Sequence, residues 1–165
     1  MKDILLINTG GTFNKIYNPL TGNLDIDTKG NAVKSIAEMW LTSLETINII
    51  NKDSLYMTDE DRLLIFQTIE KSDFQKIVII HGTDTMDLTA SYLESKNLEK
   101  TIVLTGAMVP FSINPIEATA NLASAHGFLQ GFSNYGVFIA MNGKIALNPI
   151  LKKNRERGYF ELKEL

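Results

Sequence analysis

The chain has 165 residues, of which 44% are hydrophobic and 21% charged, with a formal net charge of -3 and no cysteine. This composition is typical of one globular domain, and the slightly acidic balance argues against a nucleic-acid-binding protein. Without cysteine there are no disulfides or thiolates, and the two histidines, His81 and His126, leave little for a metal centre, so we expect no metal or other cofactor.

The start of the chain favours a cytoplasmic location. The apolar run Ile4 to Ile7 is shorter than the ~7 to 15 residues of a signal-peptide core, and no stretch reaches the ~20 apolar residues of a membrane span. We therefore expect a cytoplasmic protein that binds a small molecule or another protein, with no membrane or nucleic-acid partner.

Glycine and threonine follow the first predicted strand. Ile4 to Ile7 ends in Asn8-Thr-Gly-Gly-Thr12. Paired glycines allow backbone N–H groups to approach a ligand, with Thr12 beside them, although an ordinary turn explains the same residues. The polar stretch 13–30 predicts a mobile lid that contains a small hairpin around Leu24 to Ile26.

Two helices flank the second predicted strand. The apolar stripe from Val33 to Leu41 predicts a helix that packs on the core and that Asn31 caps. Ile47 to Ile50 predicts a strand. Thr58 then opens a helix whose first turn carries three acidic residues, which stabilise the positive helix end.

The most informative stretch joins a buried strand to a helix. Ile77 to Ile80 is an unbroken run of branched apolar residues, and helical spacing resumes at Met86. His81-Gly-Thr-Asp-Thr85 therefore lies at a strand-to-helix turn, where open parallel sheets bind ligands and a helix N-terminus favours anions. Capping by Asp84, with Asp87 in the capping-box position, is the simpler alternative, and the two roles are compatible.

The last third of the chain continues this alternation. The predicted elements are a strand at 101–104, a helix at 114–130, a strand at 137–141 and a shorter segment at 145–147. The first of these strands ends in Thr105-Gly-Ala107, and Asn114, Pro115 and Glu117 supply the cap, first-turn proline and third-position acid of the helix. The tail from Lys152 to Leu165 is mostly charged.

Alternating strands and helices predict an α/β fold over residues 1–165. We expect three layers, with a mostly parallel twisted sheet and helices on both faces. The loops after the first, third and fourth strands carry Gly-Thr, Gly-Thr-Asp and Gly-Ala. Because the carboxyl ends of parallel strands meet at one edge of the sheet, these loops are expected to converge there.

Five short motifs occur in one order over nearly the whole chain. They are Thr9-Gly-Gly-Thr12, His81-Gly-Thr-Asp-Thr-Met86, Thr105-Gly-Ala-Met-Val-Pro110, Asn121-Leu122 and Met141-Asn-Gly143. In order and approximate spacing they resemble the N-terminal domain of the bacterial-type L-asparaginase family. The resemblance implies a flavodoxin-like fold and an amidohydrolase that cleaves a side-chain carboxamide such as that of L-asparagine.

Residue by residue, the resemblance implies a catalytic set. Thr12 resembles the threonine nucleophile, Thr83 the second essential threonine, and Asp84 the carboxylate that binds the substrate's α-amino group and orients a lysine. Lys153 falls at the position of that lysine, with its neighbour Lys152, or a solvated tail charge, as the alternative. A threonine hydroxyl becomes a good nucleophile when a neighbouring base takes its proton.

The resemblance also implies residues that bind the substrate. They are Gly11, Ser54, Gly82, Gly106 and Ala107. Backbone groups around the glycines are expected to stabilise the charge that develops on the amide oxygen. Ser54 resembles a residue that contacts the α-carboxylate, although a turn residue would look the same. Tyr17 is the nearest candidate for the family's loop tyrosine, which helps to activate the nucleophile.

Three features depart from the family, and the first is that its loop tyrosine has no unambiguous counterpart in this chain. Leu55 and Tyr56 stand where polar residues usually contact the substrate, and the C-terminal domain that supplies an acid to a neighbouring subunit is expected to be absent. The resemblance further implies a homodimer or homotetramer. Two other interpretations stay open: a non-catalytic homologue that binds a small amino acid as a sensor or subunit, and a subunit of a larger amidotransferase.

Overall fold

The computed structural model describes residues 3–163, so the first two and last two positions of the expected domain lie outside the described residues. Within that range the chain forms ten β-strands and four α-helices. The strands are β1 (Ile4–Gly10), β2 (Lys15–Tyr17), β3 (Leu24–Ile26), β4 (Glu45–Lys52), β5 (Lys76–Ile80), β6 (Thr101–Thr105), β7 (Gly136–Met141), β8 (Lys144–Leu147), β9 (Leu151–Asn154) and β10 (Tyr159–Leu162). The helices are α1 (Asn31–Met39), α2 (Asp59–Lys71), α3 (Met86–Glu94) and α4 (Pro115–Gly131).

Six strands form the main sheet of the described residues, in the order β4-β1-β5-β6-β7-β8. The first five run parallel, and β8 pairs antiparallel with β7. Ile7 stands in register between Ile47 of β4 and Ile79 of β5. The predicted α/β fold with a mostly parallel sheet is therefore confirmed, and the segment at 145–147 is its antiparallel edge.

Alternate residues of each central strand face opposite helix layers. Ile77 and Ile79 belong to the core cluster that includes α2 and α3, whereas Val78 and Ile80 belong to the cluster that includes α1 and α4. Because both faces of β5 are covered, its sequence is apolar at successive positions rather than at alternate ones. Burial of one such isoleucine contributes about 1.5 to 3 kcal/mol. The expected three layers are confirmed.

The predicted lid contains the predicted hairpin. β2 and β3 pair antiparallel, with Tyr17 opposite Leu24. The N–H of Asp27 donates to the carbonyl of Asn14 at 2.9 Å, which closes the base of the hairpin. On the other side, the Ser112 hydroxyl donates to the carbonyl of Lys15 at 2.7 Å. The segment 13–30 is thereby attached to the loop that follows β6, and its role as a mobile lid stays a prediction.

Two predictions about α1 are wrong. Asn31 is the first helical residue rather than the cap, because Gly30 occupies the N-cap position at φ 66° and the Asp27 carboxylate accepts the Asn31 N–H at 2.7 Å. The helix ends at Met39, and Leu41 adopts a φ of 54° with its side chain exposed. Leu41 therefore does not contribute to the core, whereas Trp40, the preceding residue of the apolar stripe, packs against it.

The caps predicted for α2 and α4 are borne out. Thr58 forms a capping box with Asp61 at the start of α2, and Asn114 caps α4 with Pro115 in its first turn. Across residues 3–163, the helices are too short or too polar to cross a membrane.

The charged tail forms a hairpin as far as the structure describes it. β9 and β10 pair antiparallel, with Phe160 opposite Lys153. Leu151 and Phe160 are buried in the core cluster that includes α3, and the Phe160 N–H donates to Asn142 Oδ1 at 2.8 Å. These contacts hold the hairpin against the carboxyl edge of the sheet, so the alternative that Lys153 is a solvated tail charge is wrong.

Candidate active site

The loops after β1, β5 and β6 meet in direct contact. The Thr9 hydroxyl donates to the carbonyl of Ile80 at 2.8 Å, and the His81 N–H donates to the carbonyl of Thr105 at 2.8 Å. A Cβ atom on Gly11 would lie 2.6 Å from Gly82 Cα, and one on Gly106 would overlap the carbonyl oxygen of His81. Glycine is required at these crossings because any side chain would separate the loops.

Thr12 follows the glycine pair at the start of a short 3₁₀ turn, Thr12–Asn14. Gly11 has a φ of 73°, and its N–H donates to the carbonyl of Lys52 at 2.9 Å. The Asn14 side chain donates to the carbonyl of Gly10 at 2.7 Å and to Asn8 Oδ1 at 2.8 Å. The position of Thr12 is thus determined by a hydrogen-bonded turn, and the N–H of Gly11 is already engaged.

Ser54 lies beneath the turn that carries Thr83. The N–H groups of Asp84 and Thr85 donate to Ser54 Oγ at 3.1 and 3.4 Å, and the Thr85 hydroxyl donates to the Ser54 carbonyl at 2.7 Å. A Cβ atom on Gly82 would lie 2.6 Å from Ser54 Cβ. Ser54, which is fully buried, therefore shapes the turn from below.

Lys153 joins the turn from the β9–β10 hairpin. Its Nζ donates to Thr83 Oγ1 at 2.9 Å and to Asp84 Oδ1 at 2.7 Å. The Lys153 side chain is only 12% exposed, and the Thr83 hydroxyl donates to Met108 Sδ at 3.3 Å. The structure thus brings together Thr83, Asp84 and Lys153.

Asp84 and Lys152 make contacts different from those of their alternative interpretations. Thr85 occupies the N-cap position of α3, and the Asp84 carboxylate accepts hydrogen bonds from Lys153 and Arg155 instead, so the prediction that Asp84 caps the helix is wrong. Lys152 points to Asp87, with Nζ 3.6 Å from Oδ2, which also replaces the expected capping-box contact of Asp87.

His81 supports the turn from inside the core. Its Nδ1 lies 2.7 Å from the Gly82 carbonyl, which only accepts, so Nδ1 carries the proton. Nε2 then accepts from the Thr89 hydroxyl at 2.8 Å, and Thr89 accepts from Arg62 Nε at 3.3 Å. Complete burial lowers the pKa of His81 to about 4, so the imidazole is neutral at pH 7.

Gly106 and Ala107 begin a loop that Glu117 and Asn121 hold in place. The two carboxylate oxygens of Glu117 accept the N–H groups of Met108 and Val109, each at 3.0 Å. Asn121 donates to the Gly106 carbonyl at 2.9 Å. Glu117 therefore orders this loop rather than completing a capping box on α4.

The lid side of the site carries a salt bridge and exposed apolar groups. Lys15 Nζ lies 2.7 Å from Asp53 Oδ2. Burial alone would raise the pKa of Asp53, but the hydrogen bonds from Lys15 and from the Leu55 N–H outweigh it and lower this pKa below 3.8. Leu55 and Tyr56 are exposed, and Tyr17 is 62% exposed. Among residues 3–163, no hydrogen bond joins Tyr17 to Thr12, Thr83, Asp84 or Lys153.

Sequence reasoning missed Arg155, Glu117 and Asn14. Arg155 contacts Asp84, whereas the other two hold site loops. A signal for the hairpin that carries Arg155 was present, because Leu151 and Phe160 are apolar positions on either side of the Gly158 turn. Among the residues that the structure describes, no cluster of three or more His, Asp or Glu side chains is placed to hold a metal ion.

The chain matches a known family over almost its whole length. The family model described as "Asparaginase, N-terminal" matches residues 3–158. The chain therefore belongs to the asparaginase family. An L-asparaginase from Thermococcus kodakarensis is 34% identical over 120 residues, which are 70% of this chain and 36% of that protein. A "probable L-asparaginase periplasmic" from Haemophilus influenzae is 31% identical over 158 residues, which are 88% of this chain and 44% of that protein.

A solved structure also matches this asparaginase-family chain. The probable cytoplasmic L-asparaginase from Campylobacter jejuni superposes with a TM-score of 0.82 at 29% identity, covering 98% of this chain and 53% of that one. Family membership and the asparaginase N-terminal fold are therefore established. The chain spans between 36% and 53% of the length of these relatives.

Proposed function

We propose that this chain hydrolyses a side-chain carboxamide such as that of L-asparagine, with Thr12 as the nucleophile. The Thr12 hydroxyl adds to the amide carbonyl, the carbon–nitrogen bond breaks, and ammonia leaves with the hydroxyl proton. Water then cleaves the resulting ester, which releases the carboxylic acid and restores Thr12. The proposal rests on family membership together with the site geometry.

The contact between Lys153 and Thr83 is the observation that carries this proposal. In the resting geometry Nζ donates to Oγ1 at 2.9 Å, so Thr83 and Lys153 are placed to pass on the proton of the water that cleaves the ester. Asp84 Oδ1, at 2.7 Å, holds Nζ in that position. Three groups at hydrogen-bond distance form a relay that a merely capped helix start does not require.

Substrate contacts are assigned to the turns around this relay. Because the Gly11 N–H is engaged by Lys52, we assign stabilisation of the amide oxygen to the backbone near Gly106 and Ala107. Gly11 and Gly82 provide the close backbone crossing, and Asp84 remains our candidate for the α-amino group. Ser54 is fully buried and its Oγ accepts two backbone N–H groups of the turn, so we assign it to shaping the turn rather than to direct contact with the α-carboxylate.

Ammonia release from asparagine, glutamine and small peptide amides tests the proposal directly. We expect Thr12→Ala and Thr83→Ala to lose at least ~100-fold in kcat relative to the unaltered chain, because each removes a group that acts in the transition state. Thr119→Ala is the matched control, because the buried Thr119 hydroxyl has no hydrogen-bond partner among residues 3–163. If the unaltered chain releases no more ammonia than these two alanine variants, the enzymatic proposal is refuted.

The second candidate function is a non-catalytic module that binds a small amino acid. It is favoured by the exposed Leu55 and Tyr56, at positions where the resemblance implies polar substrate contacts. A ligand at ~100 times its dissociation constant stabilises a protein by ~2.7 kcal/mol. A rise in melting temperature with aspartate, in the absence of ammonia release, would establish the binding module.

We further propose that residues 1–165 form a single domain. We propose that the chain assembles as a homodimer or homotetramer in the cytoplasm. Sedimentation at several concentrations measures the assembly, and a larger complex with a second protein would instead indicate an amidotransferase subunit. The Campylobacter relative is named cytoplasmic and the Haemophilus relative periplasmic, so cell fractionation is the decisive measurement of location.

A further inference from the structure

Arg155 places a second cation on the carboxylate of Asp84. It lies between β9 and β10, and its Nη1 donates to Asp84 Oδ1 at 3.3 Å. Its Nη2 donates to the backbone carbonyl of the same residue. One guanidinium thus contacts both the side chain and the main chain of Asp84, on the oxygen that Lys153 also contacts.

The charges around Asp84 do not balance. The carboxylate carries one negative charge, whereas Lys153 and Arg155 carry two positive charges, so the three groups together have a formal charge of +1. The neighbouring ions occur as opposite-charge pairs, Lys152 with Asp87 and Lys15 with Asp53, and Asp53 also interacts with Lys153. The α3 N-terminus adds further positive potential at the same turn. The unbalanced positive charge at this turn is therefore that of Arg155.

This imbalance acts against a ligand that carries an ammonium group. An ammonium bound at Asp84 would share the carboxylate with two cations already within 3.3 Å of Oδ1. Cations on neighbouring sites repel each other, and Asp84 is 32% exposed, so solvent reduces this repulsion without removing it. A ligand of the same shape without the ammonium group avoids the repulsion from Lys153 and Arg155. Its carboxylate groups are still attracted by the positive charge at this turn.

We propose that Arg155 is a specificity-determining residue that weakens recognition of the α-ammonium group. The substrate class is then the ω-amides of dicarboxylic acids, with those that lack an α-amino group, such as succinamate, accepted at least as well as asparagine. This inference rests on the proposed function for the nature of the reaction. Its effect on binding, however, is measurable without turnover.

Calorimetric titration with succinate and aspartate tests the inference. These ligands differ only in the ammonium group. We expect the unaltered chain to bind succinate at least as tightly as aspartate. In Arg155→Gln the ratio of the aspartate Kd to the succinate Kd is expected to fall about tenfold. Arg155→Lys keeps the charge and should keep the ratio within about threefold.

Arg157→Gln is the matched control on the same hairpin, because Arg157 donates to the Tyr159 hydroxyl at 3.1 Å. It should leave the ratio of dissociation constants unchanged. If Arg155 only orders the hairpin, both ligands weaken equally in Arg155→Gln, and that result overturns the inference. At least tenfold tighter aspartate binding by the unaltered chain, or no binding of either ligand, overturns it as well. A chain that binds as expected but releases no ammonia refutes only the proposed hydrolysis.

Discussion

Lys153 Nζ lies 2.9 Å from Thr83 Oγ1, although the two residues are 70 positions apart in the chain. The contact depends on the β9–β10 hairpin, which is held to the core by Leu151 and Phe160. Because Thr83 is 93% shielded from solvent and Lys153 nearly as much, water competes little for this hydrogen bond. The pair is the geometric centre of the proposed relay.

Removal of the Lys153 amine is expected to abolish most of the activity. Lys153→Met keeps the length of the side chain but removes the group that accepts the Thr83 proton, so kcat for ammonia release should fall by about 10² to 10⁴-fold. Lys152→Met is the matched control, since Lys152 faces Asp87. Steady-state ammonia assays measure both. A larger loss in the Lys152 variant would reverse the assignment of the lysine.

Ser54 is expected to contribute to folding stability through the turn above it. Ser54→Ala leaves the N–H groups of Asp84 and Thr85 without their acceptor, and the free energy of unfolding should fall by about 1 to 3 kcal/mol. Ser124→Ala, which removes only a hydroxyl that donates to Ala120 within α4, should change it by less than about 0.5 kcal/mol. Urea denaturation compares the two. Equal stabilities would contradict the role assigned to Ser54.

Substitution of glycine by alanine is expected to have opposite effects on stability at Gly106 and at Gly127. Gly106→Ala places a methyl group against the His81 carbonyl and should destabilise the fold by about 1 to 3 kcal/mol. Gly127 lies within α4 with open space around its Cβ position, so Gly127→Ala should stabilise by about 0.5 to 1 kcal/mol. Thermal melts and urea titrations measure the change in the free energy of unfolding of each variant. Tolerance of alanine at Gly106 would mean that the loops are not in close contact.

The buried His81 makes stability depend on pH. Its pKa is about 4 in the folded chain and 6.5 as a free side chain, so folding favours the neutral form. This contribution is fully present above pH ~6.5 and is lost as the pH falls towards 4, for a total of about 3 kcal/mol. Urea titrations between pH 7 and 4 should show the loss.

His81→Gln should remove that part of the pH dependence, whatever its effect on stability at pH 7. His126→Gln is the control, because His126 is only partly buried and lies beside Trp40 at a ring separation of 5.7 Å. If the slope of stability against pH is the same in His81→Gln as in the unaltered chain, the imidazole is not kept neutral by the core.

Local sequence patterns were sufficient to predict most of the strands and helices of the fold. The runs Ile77 to Ile80 and Ile102 to Leu104 are apolar at successive positions, which is the pattern of strands with both faces covered. The cap at Asn114 could also be predicted from the sequence, because helix capping depends on residues that are close together in the chain. The cap predicted at Asp84 failed because distant groups competed, since the carboxylate of Asp84 pairs with Lys153 and Arg155 rather than with its own helix.

From the order of its residues alone, the chain reveals a parallel α/β sheet and the threonine turns at the ends of its strands, because periodicity and turn chemistry act over a few positions. Tertiary structure alone places Lys153 on Thr83, Ser54 beneath Asp84 and Arg155 on its carboxylate. Those contacts join residues 30 to 71 positions apart. Their formation depends on how the hairpin and the loops pack against the sheet, which no local pattern of side chains encodes.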